Sequence, residues 1–570
     1  MRVHPTSSSA GAARLTPGED LVLRLAEGNA LDTPQGVAAD DHLDPEARAR
    51  LDDEALEVLA RWRDAFDGPL TVDGLCLPFV CEWPLMLIVM AALRAGAGLQ
   101  AAVERYRPPR LVLVGGDEVD RGLVEAVAAG AGIPADFQAA PTVAVASVER
   151  ASGSLAQRVR RRAVATLLRA GAPTAMRTGS VLALSYWPLV PLLDRLLDQP
   201  DLRVAIALEK RPAGPRRGLR AMLDGGWLGR AGPLSRRRGR RRLGAALEAA
   251  LARPAPELGV RGLRLEAALH PSLLRHVAEA GAEHLATAAT IRAAYRRHRP
   301  RLVLATYDTE PLPRLVVSLA REAGIRTFLL SHGAYLMPQT LKDMELADEA
   351  AIYSEAVGVP GMRRDRPVHA VGYPMPYEPR PEPATAPGAA PRVVVLGQNG
   401  HPYTSRFDER VVVRHYVAAL AALEATLPEA EVVLRPHPSQ DLAPVRAVLG
   451  RYPRLRGSVD SASDLHELVG SADLCVGSLS TSTLQAALTG TTVAVLNVTG
   501  FDWTWPLGGE TPVPIARDAE ELAAVVRRWQ TQGSLPGQDA LVEALGADRP
   551  GAVDRLARLV TAAAGRPGAG

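Results

Sequence analysis

Short apolar segments rich in β-branched residues alternate with helical patterns along most of this chain, and this alternation limits its fold more than any other feature. The segment 110–135 has the pattern of a strand, a glycine turn and a helix, and 179–210 that of strand, helix and strand. Further strands are predicted at 302–306 and 326–331, around a helix at 313–323. Such alternation is typical of parallel α/β units.

The same alternation resumes after the Pro/Ala-rich stretch 376–392, which has the composition of a linker. Four strands are predicted beyond it, at 393–397, 430–436, 473–478 and 492–497, with helices between them. The C-terminal part of the chain is therefore predicted to form a parallel sheet of its own.

We predict three α/β domains. They are an N-terminal accessory domain at 1–170 and two Rossmann-like domains at 171–378 and 392–570, which a linker at 379–391 joins. A length of 570 residues agrees with about 100–200 residues per domain. We expect the last two domains to face each other across a cleft at the carboxyl ends of their strands, where open parallel sheets bind ligands.

The composition excludes several classes of protein. Hydrophobic residues make up 47% and charged residues 23%, as in soluble globular proteins. A net charge of +3 and an aromatic content of 4% argue against nucleic-acid binding. The three cysteines, Cys76, Cys81 and Cys475, favour a reducing compartment, and the longest apolar run, 85–93, falls short of the ~20 residues of a membrane span. We expect a cytoplasmic protein.

A cluster of arginines lies in the Gly-rich segment 216–242. Its members are Arg236, Arg237, Arg238, Arg240, Arg241 and Arg242. One interpretation is a solvated, mobile loop. The other is a basic patch that contacts anionic lipid headgroups, at the inner face of the cell membrane, or a polyanionic acceptor.

Polar residues follow the predicted strands of the C-terminal domain. Gln398 belongs to the Gly-rich stretch after the first strand, and Arg435 ends the second. His437 stands between two prolines, which stiffen the turn that displays it. These side chains come from neighbouring strand ends and could meet at one phosphate group.

A run of hydroxyl residues follows the third of these strands, at the start of a predicted helix. Ser478, Ser480 and Thr481 belong to this run. Hydroxyl groups and backbone N–H groups at a helix N-terminus can bind an anion, which the helix dipole favours. Ordinary N-capping needs one such residue, so the length of the run favours phosphate binding.

The motif "LRPHP", followed by "DLHELVGSADLCVGSLSTSTLQAALTGTTVAVLN", resembles the donor domain of a set of bacterial GT-B transferases. The set includes sialyl- and polysialyltransferases, capsule Kdo transferases and CDP-glycerol glycerophosphotransferases. Their His-Pro and Ser or Ser-Ser/Thr motifs bind the phosphate of a cytidine-nucleotide donor. The resemblance implies that role for His437-Pro438 and for Ser478 or Ser480-Thr481.

The stretch "SHGAYLMP" at 331–338 is similar to a Gln-His-Gly turn of several of these groups, with Ser331 in place of the glutamine. There the histidine has an acceptor-side catalytic role, which would fall on His332. The resemblance covers about residues 175–560, and residues 1–170 match no family that we can name.

The acidic-acidic-Gly motif that supplies the base in the sialyltransferases is absent from the central domain. Asp308 and Glu310 stand at a predicted strand end, and Asp117 and Glu118 follow a strand of the first domain. Helix N-terminal charge explains each of them equally well. The general base therefore remains open between His332 and Asp308, and the near-neutral pKa of a histidine favours His332.

The resemblance implies an inverting GT-B glycosyltransferase that moves a sugar, activated by a cytidine nucleotide, onto a cell-surface glycan or glycolipid. No Asp-x-Asp motif occurs beyond residue 170, so we expect no metal and no cofactor. The first alternative is a polyol-phosphate transferase that uses a CDP-glycerol or CDP-ribitol type of donor. The second is a non-catalytic subunit that binds a nucleotide sugar.

Overall fold

The fold is described from a computed structural model. It describes residues 2–4, 22–24, 37–38, 42–114, 118–138, 180–186, 189–208, 233–331, 333, 346–355, 365–375, 390–397, 409–438, 440–478, 480–499, 513–546 and 551–565. The linker predicted at 379–391 lies outside these residues except for its last two positions.

The N-terminal part of the chain forms a parallel sheet with helices packed on it. Its strands, in spatial order, are β3 (Val37–Ala38), β2 (Val22–Arg24), β1 (Arg2–His4), β6 (Leu111–Val114) and β7 (Ala135–Gln138). The helices of this part are α1 (Pro45–Phe66), α2 (Leu77–Val80), α3 (Glu82–Tyr106) and α4 (Glu118–Ala131). A short hairpin of β4 (Thr71–Val72) and β5 (Leu75–Cys76) connects α1 to α2. Helix α1 begins where Asp44 accepts a hydrogen bond from the Ala47 amide, 2.6 Å away, and Pro45 occupies its first turn.

Helix α3 contains the longest apolar run of the sequence. Among the described residues it is the one helix long and apolar enough to cross a membrane, and 72% of its apolar window is buried within the protein. It packs against α1 and α4, and both Leu85 and Leu99 are fully buried. This burial is that of the central helix of a protein core. Cys81, at its N-terminus, is buried as well.

The central sheet has six parallel strands. In spatial order they are β13 (Val368–Ala370), β12 (Glu349–Ile352), β11 (Arg326–Leu330), β10 (Leu302–Ala305), β8 (Ser180–Ser185) and β9 (Arg203–Leu208). The helices described in this part of the chain are α5 (Val190–Leu197), α6 (Pro233–Leu251), α7 (Glu266–His298) and α8 (Pro311–Glu322).

The loop interpretation of the arginine cluster is wrong, because the arginines lie in helix α6. Gly239 allows α6 to pack closely on α7, since a Cβ at this position would lie 2.6 Å from the Ala282 carbonyl oxygen. Leu243 is buried on the same side of α6. Arginine is itself a good helix former, so packing on one face overrides the loop signal of the glycines.

The C-terminal sheet also has six parallel strands. In spatial order they are β16 (Arg456–Val459), β15 (Glu431–Arg435), β14 (Arg392–Leu396), β17 (Leu474–Gly477), β18 (Thr492–Leu496) and β19 (Ile515–Ala516). Its part of the chain holds α9 (Glu409–Thr426), α10 (Leu442–Leu449), α11 (Leu465–Gly470), α12 (Thr481–Leu488), α13 (Ala519–Gln532), α14 (Gln538–Ala544) and α15 (Ala552–Gly565).

The strand order of the C-terminal sheet is that of a dinucleotide-binding Rossmann sheet. The central sheet has the related flavodoxin-like order, in which its second strand along the chain, β9, lies at the edge of the sheet next to its first, β8. The predicted fold class is therefore confirmed: two Rossmann-like sheets and an additional N-terminal α/β sheet, the architecture expected of GT-B proteins.

The last helix, α15, returns from the C-terminal part of the chain to the central sheet. Arg555 donates through Nη2 to the Val371 carbonyl oxygen at 2.7 Å, and Asp554 pairs with Arg195 of α5 at 2.8 Å. Leu556 of the same helix is buried in a core that contains residues of both six-stranded sheets. Helix α15 thus joins the two Rossmann-like parts of the molecule.

Candidate active site

The predicted donor-binding residues follow three adjacent strands of the C-terminal sheet. His437 follows β15, Gln398 follows β14, and Ser478 and Ser480 follow β17. Strand order reverses between β14 and β17, which makes this edge the topological switch point where such sheets bind ligands. Gln398 itself lies outside the described residues. The sheet order therefore brings the His-Pro turn and the Ser/Thr helix to within two strand spacings, about 10 Å.

The His-Pro turn displays its histidine to solvent. Pro436 is buried, whereas His437 and Pro438 are exposed. The His437 carbonyl oxygen accepts a hydrogen bond from the Gln440 amide at 2.9 Å, which closes the turn. The backbone is thus fixed at a proline-flanked position while the imidazole is accessible to a ligand.

The start of helix α12 contains a cluster of hydroxyl groups. Ser480 occupies the N-cap position, but its side chain makes no capping hydrogen bond; its Oγ lies 2.8 Å from the Ser482 Oγ and 3.1 Å from the Thr483 Oγ1. The buried Thr483 hydroxyl donates to the Ser478 carbonyl oxygen at 2.5 Å. Thr483 and Ser478 therefore build the turn, and the half-buried Ser480 and Thr481 lie at the helix N-terminus, where the dipole favours an anion.

Arg435 takes part in an ion pair on the outer side of β15. Its Nη1 lies 3.2 Å from the Asp460 carbonyl oxygen and 3.4 Å from Asp460 Oδ1. Hydrogen bonds from the Ser463 hydroxyl and from the Ser463 and Ala462 amides, with the charge of Arg435, lower the pKa of Asp460 to about 2. Asp460 follows β16, which lies on the side of β15 away from the Ser/Thr helix. This ion pair supports the turn, and phosphate binding by Arg435 stays a prediction.

Asp308 follows β10 of the central sheet and is completely buried. Its Oδ2 accepts a hydrogen bond from the Leu346 amide at 2.6 Å, and its carbonyl oxygen accepts one from Arg314 Nε at 2.9 Å. These bonds give Asp308 a structural role at the carboxyl edge of the sheet. A role as general base remains a prediction, and the burial of the carboxylate favours His332 instead.

The other acidic candidates have the positions expected of helix N-terminal charge. Glu310 is the N-cap residue of α8. Glu118 lies in the first turn of α4 and forms an ion pair with Arg275 of α7. Asp117 lies outside the described residues.

The turn after β11 brings the central sheet to the Ser/Thr helix. His332 lies outside the described residues, but both of its neighbours are described. The Ser331 hydroxyl donates to the Gly333 carbonyl oxygen at 2.6 Å, and a Cβ added to Gly333 would lie 3.0 Å from Thr481 Oγ1. Two segments that the sequence singles out independently, 331–333 and 480–481, therefore meet at the interface of the two sheets.

A second contact joins the same two parts of the molecule, and no sequence motif indicated it. Gln485, one turn after Thr481 in α12, donates through Nε2 to the Tyr373 hydroxyl at 2.5 Å. Both side chains are buried. The sequence signal for this contact is a glutamine among the apolar residues of a short predicted helix. The sequence cannot identify its partner, which lies 112 positions away in the chain.

The arrangement suits a transfer reaction between two ligands. An exposed imidazole and a helix N-terminus are groups of the kind that bind anions, and both lie at the carboxyl edge of the C-terminal sheet, near the contact with Gly333 of the central sheet. No group of three or more His, Cys, Asp or Glu residues suited to a metal ion occurs among the described residues.

No family model matches the chain, and no curated protein matches it. Among solved structures it is similar to MurG of Acinetobacter baumannii, with 14% identity over 67% of this chain and 99% of that one and a TM-score of 0.39. It is also similar to the glycosyltransferase SnogD of Streptomyces nogalater, with 15% identity over 67% of this chain and 99% of that one and a TM-score of 0.38. A UDP-GlcNAc 2-epimerase of Neisseria meningitidis bound to UDP-GlcNAc is similar with 8% identity over 67% of this chain and 98% of that one and a TM-score of 0.39. The two Rossmann-like sheets of this chain are assigned from its own strand order.

Proposed function

We propose that this protein is a GT-B glycosyltransferase that binds a nucleotide-activated sugar at the C-terminal sheet and an acceptor at the central sheet. The observation that carries the proposal is the approach of Gly333 to Thr481, which places the neighbour of His332 against the predicted phosphate-binding helix. The resemblance in the His-Pro, His-Gly and Ser/Thr motifs supports it, because the contact joins two of those motifs.

In the proposed reaction His332 removes the proton of an acceptor hydroxyl, and the oxygen attacks the anomeric carbon of the donor sugar. The bond from this carbon to the phosphate oxygen breaks, its electron pair leaves with the nucleotide, and the configuration inverts. His437 and the Ser480–Thr481 helix start stabilise the charge that develops on the departing phosphate. Asp308 is the alternative base, and its bond to the Leu346 amide favours His332 over it.

We further propose a CMP- or CDP-linked donor, a surface glycan or glycolipid acceptor, and activity without a metal ion. Helix α6 would contact the inner face of the cell membrane. In support of this contact, Arg237, Arg238, Arg240, Arg241 and Arg242 are exposed on one helix. Arg236 and Arg242 already pair with Glu283 and Asp73, so the remaining arginines would provide the attraction to anionic lipid.

The first test is binding and turnover with the His437→Ala variant. A calorimetric screen of CMP, CDP, UDP, GDP and dTDP identifies the nucleotide, and its sugar conjugates are then supplied with acceptor extracts while nucleotide release is followed. We expect His437→Ala to abolish release at an unchanged melting temperature, because the imidazole is exposed, and wild-type turnover to survive a chelator.

The control for this test is Arg454→Ala, which breaks the exposed Arg454–Glu424 ion pair in the segment that leads into the amino end of β16. Removal of a charge there should leave nucleotide release unchanged. Wild-type turnover by His437→Ala would remove the proposal.

The alternative that the surface favours is transfer of a polyol phosphate to a polyphosphate acceptor, because a row of exposed arginines suits a polyanion. Mass spectrometry of the product separates the two reactions, since this one adds phosphorus to the acceptor. Nucleotide binding without turnover of any donor would instead indicate a non-catalytic subunit.

A further inference from the structure

A buried tyrosine lies directly behind the His-Pro turn. Tyr416 belongs to helix α9, and 1% of its surface is exposed. Its hydroxyl donates a hydrogen bond to Gln440 Oε1 at 3.1 Å. Burial raises the pKa of Tyr416 above its ordinary value, so the hydroxyl keeps its proton for this bond at any physiological pH.

Gly397, at the carboxyl end of β14, makes room for this hydroxyl. A Cβ at position 397 would overlap the Tyr416 hydroxyl, lie 2.8 Å from Tyr416 Cζ and lie 3.1 Å from Gln440 Oε1. The tyrosine ring is rigid and enclosed, so it cannot move aside as the end of a flexible side chain could. The strand end, the tyrosine and the glutamine therefore fit together only with a residue that has no side chain.

The contact continues to the histidine through the backbone of Gln440. Its amide donates to the His437 carbonyl oxygen at 2.9 Å, and the Gly397 amide donates to the Arg435 carbonyl oxygen at 2.8 Å. The turn is thus fixed at Arg435 by the hydrogen bond from β14, and at Gln440 by the hydrogen bond from Tyr416. Because Gln440 is half-buried, its bond with Tyr416 restricts where this end of the turn can lie.

We propose that Tyr416 is a positioning residue for donor binding, which acts through Gln440 to fix the turn that presents His437 to the donor phosphate. The proposal rests on the proposed function, because it assigns the turn to phosphate binding. A tyrosine that merely fills the core would need a hydrogen-bond partner as well. The two roles differ in that only a positioning residue changes the order of the turn and the affinity for the nucleotide.

The test compares the wild-type protein with Tyr416→Phe, which keeps the ring and removes the hydroxyl. Amide hydrogen exchange of the segment 436–442, followed by mass spectrometry, should accelerate about 2–10-fold, the equilibrium effect of one intramolecular hydrogen bond. Calorimetry with CDP and with UDP should show the nucleotide that the wild-type protein binds to be held more weakly by a similar factor.

Tyr452→Phe is the matched control. The Tyr452 hydroxyl donates to the carbonyl oxygen of Val417 in helix α9, at 3.1 Å, and this bond does not involve the turn. It should leave both measurements as in the wild type. A second variant, Gln440→Ala, should reproduce the effect of Tyr416→Phe on nucleotide affinity.

Unchanged exchange in the turn, or unchanged affinity despite faster exchange, would overturn the positioning role and leave the proposed function intact. A wild-type protein that binds none of the nucleotides would remove both proposals. The two failures are therefore distinguishable.

Discussion

At the scale of single residues, His415 connects helix α9 to the carboxyl end of β14. Its ring is fully buried next to Tyr416, and Nε2 lies 3.1 Å from the carbonyl oxygen of Leu396, the last residue of β14. Burial lowers the pKa of His415 to about 4, although hydrogen bonds to the Leu396 and Leu496 carbonyl groups oppose the shift. The histidine is therefore neutral in the folded protein near pH 7, and it ties a strand end to helix α9.

This pKa makes the folded state sensitive to acid. Between pH 6.5 and about 4 the unfolded chain protonates His415 and the folded chain does not, so the free energy of unfolding falls as the pH drops through this window. We expect a loss of about 2 kcal/mol from His415 between pH 7.5 and pH 5. Urea unfolding at both pH values should show this loss in the wild type and a smaller one in His415→Gln.

Tyr452→Phe provides the control for acid sensitivity, because it removes a hydrogen bond to helix α9 but no group that titrates between pH 5 and pH 7.5. An equal loss in the wild type and in His415→Gln would show that other groups cause the acid sensitivity. His284, whose pKa burial also lowers to about 4, would then be the next histidine to replace.

The sequence could indicate which residue types matter but not which partners they have. His437 and Ser480 were predicted from their position after a strand, and in the structure they follow β15 and β17 of one sheet; their role stays a prediction. The Asp460 partner of Arg435 and the Leu346 partner of Asp308 are set by the packing of loops 25 and 38 positions away. Local patterns carry no information about such contacts.

At the scale of elements, strands were easier to predict than helices. Runs such as 302–306 and 492–497 are short, mostly buried and mostly apolar, so the pattern alone places them to within a residue of β10 and β18. Helix α6 was missed because its glycines have the pattern of a loop, whereas its stability comes from packing on α7. Strands β1 to β3 are two or three residues long, and no periodicity can develop over that length.

Helix α12 links the site to the central sheet, and its buried Gln485–Tyr373 bond makes this link measurable. Tyr373→Phe should lower the free energy of unfolding by about 1–3 kcal/mol, because the buried Gln485 amide loses this acceptor. Gln485→Leu alone should also destabilise the protein. The double variant should cost less than the sum of the two, because replacing both partners by apolar groups leaves no unsatisfied donor.

A double-mutant cycle in urea measures this coupling and contains its own control. Additive effects within about 0.5 kcal/mol would show that the two side chains do not interact in the folded protein, contrary to the contact between α12 and the central sheet.

At the scale of the whole molecule, each of the two largest hydrophobic cores contains residues from more than one of the domains predicted from the sequence. One core contains Leu93 of α3 together with Leu182 and Leu329 of the central sheet, and another contains Phe328 of that sheet with Leu484 of α12. The central sheet is therefore buried on one side with the N-terminal helices and on the other with the C-terminal part. Sequence patterns find the sheets, but the sharing of a core between them depends on long-range packing.

A buried charge also joins the N-terminal helices to the candidate site. Arg314 of α8, 2% exposed, forms an ion pair with Glu82 of α3, lies 4.5 Å above the Phe79 ring and donates to the carbonyl oxygens of Phe79 and Asp308. Removal of Glu82 takes the carboxylate partner from the buried Arg314 and also from Arg63, which is more costly than loss of an exposed pair. Residues 77–82 are therefore expected to stabilise the strand-end loop that contains Asp308.

We expect Glu82→Gln to lower the free energy of unfolding by about 3 kcal/mol, because the buried Arg314 keeps its charge and both Arg314 and Arg63 lose their carboxylate partner. Glu322→Gln is the matched control: it breaks the half-exposed Arg292–Glu322 pair, whose loss should cost about 0–1 kcal/mol. Urea unfolding measures both, and hydrogen exchange of residues 306–310 should accelerate in Glu82→Gln alone. Equal stability of the two variants would mean that the N-terminal helices contribute packing, but not charge, to the support of that loop.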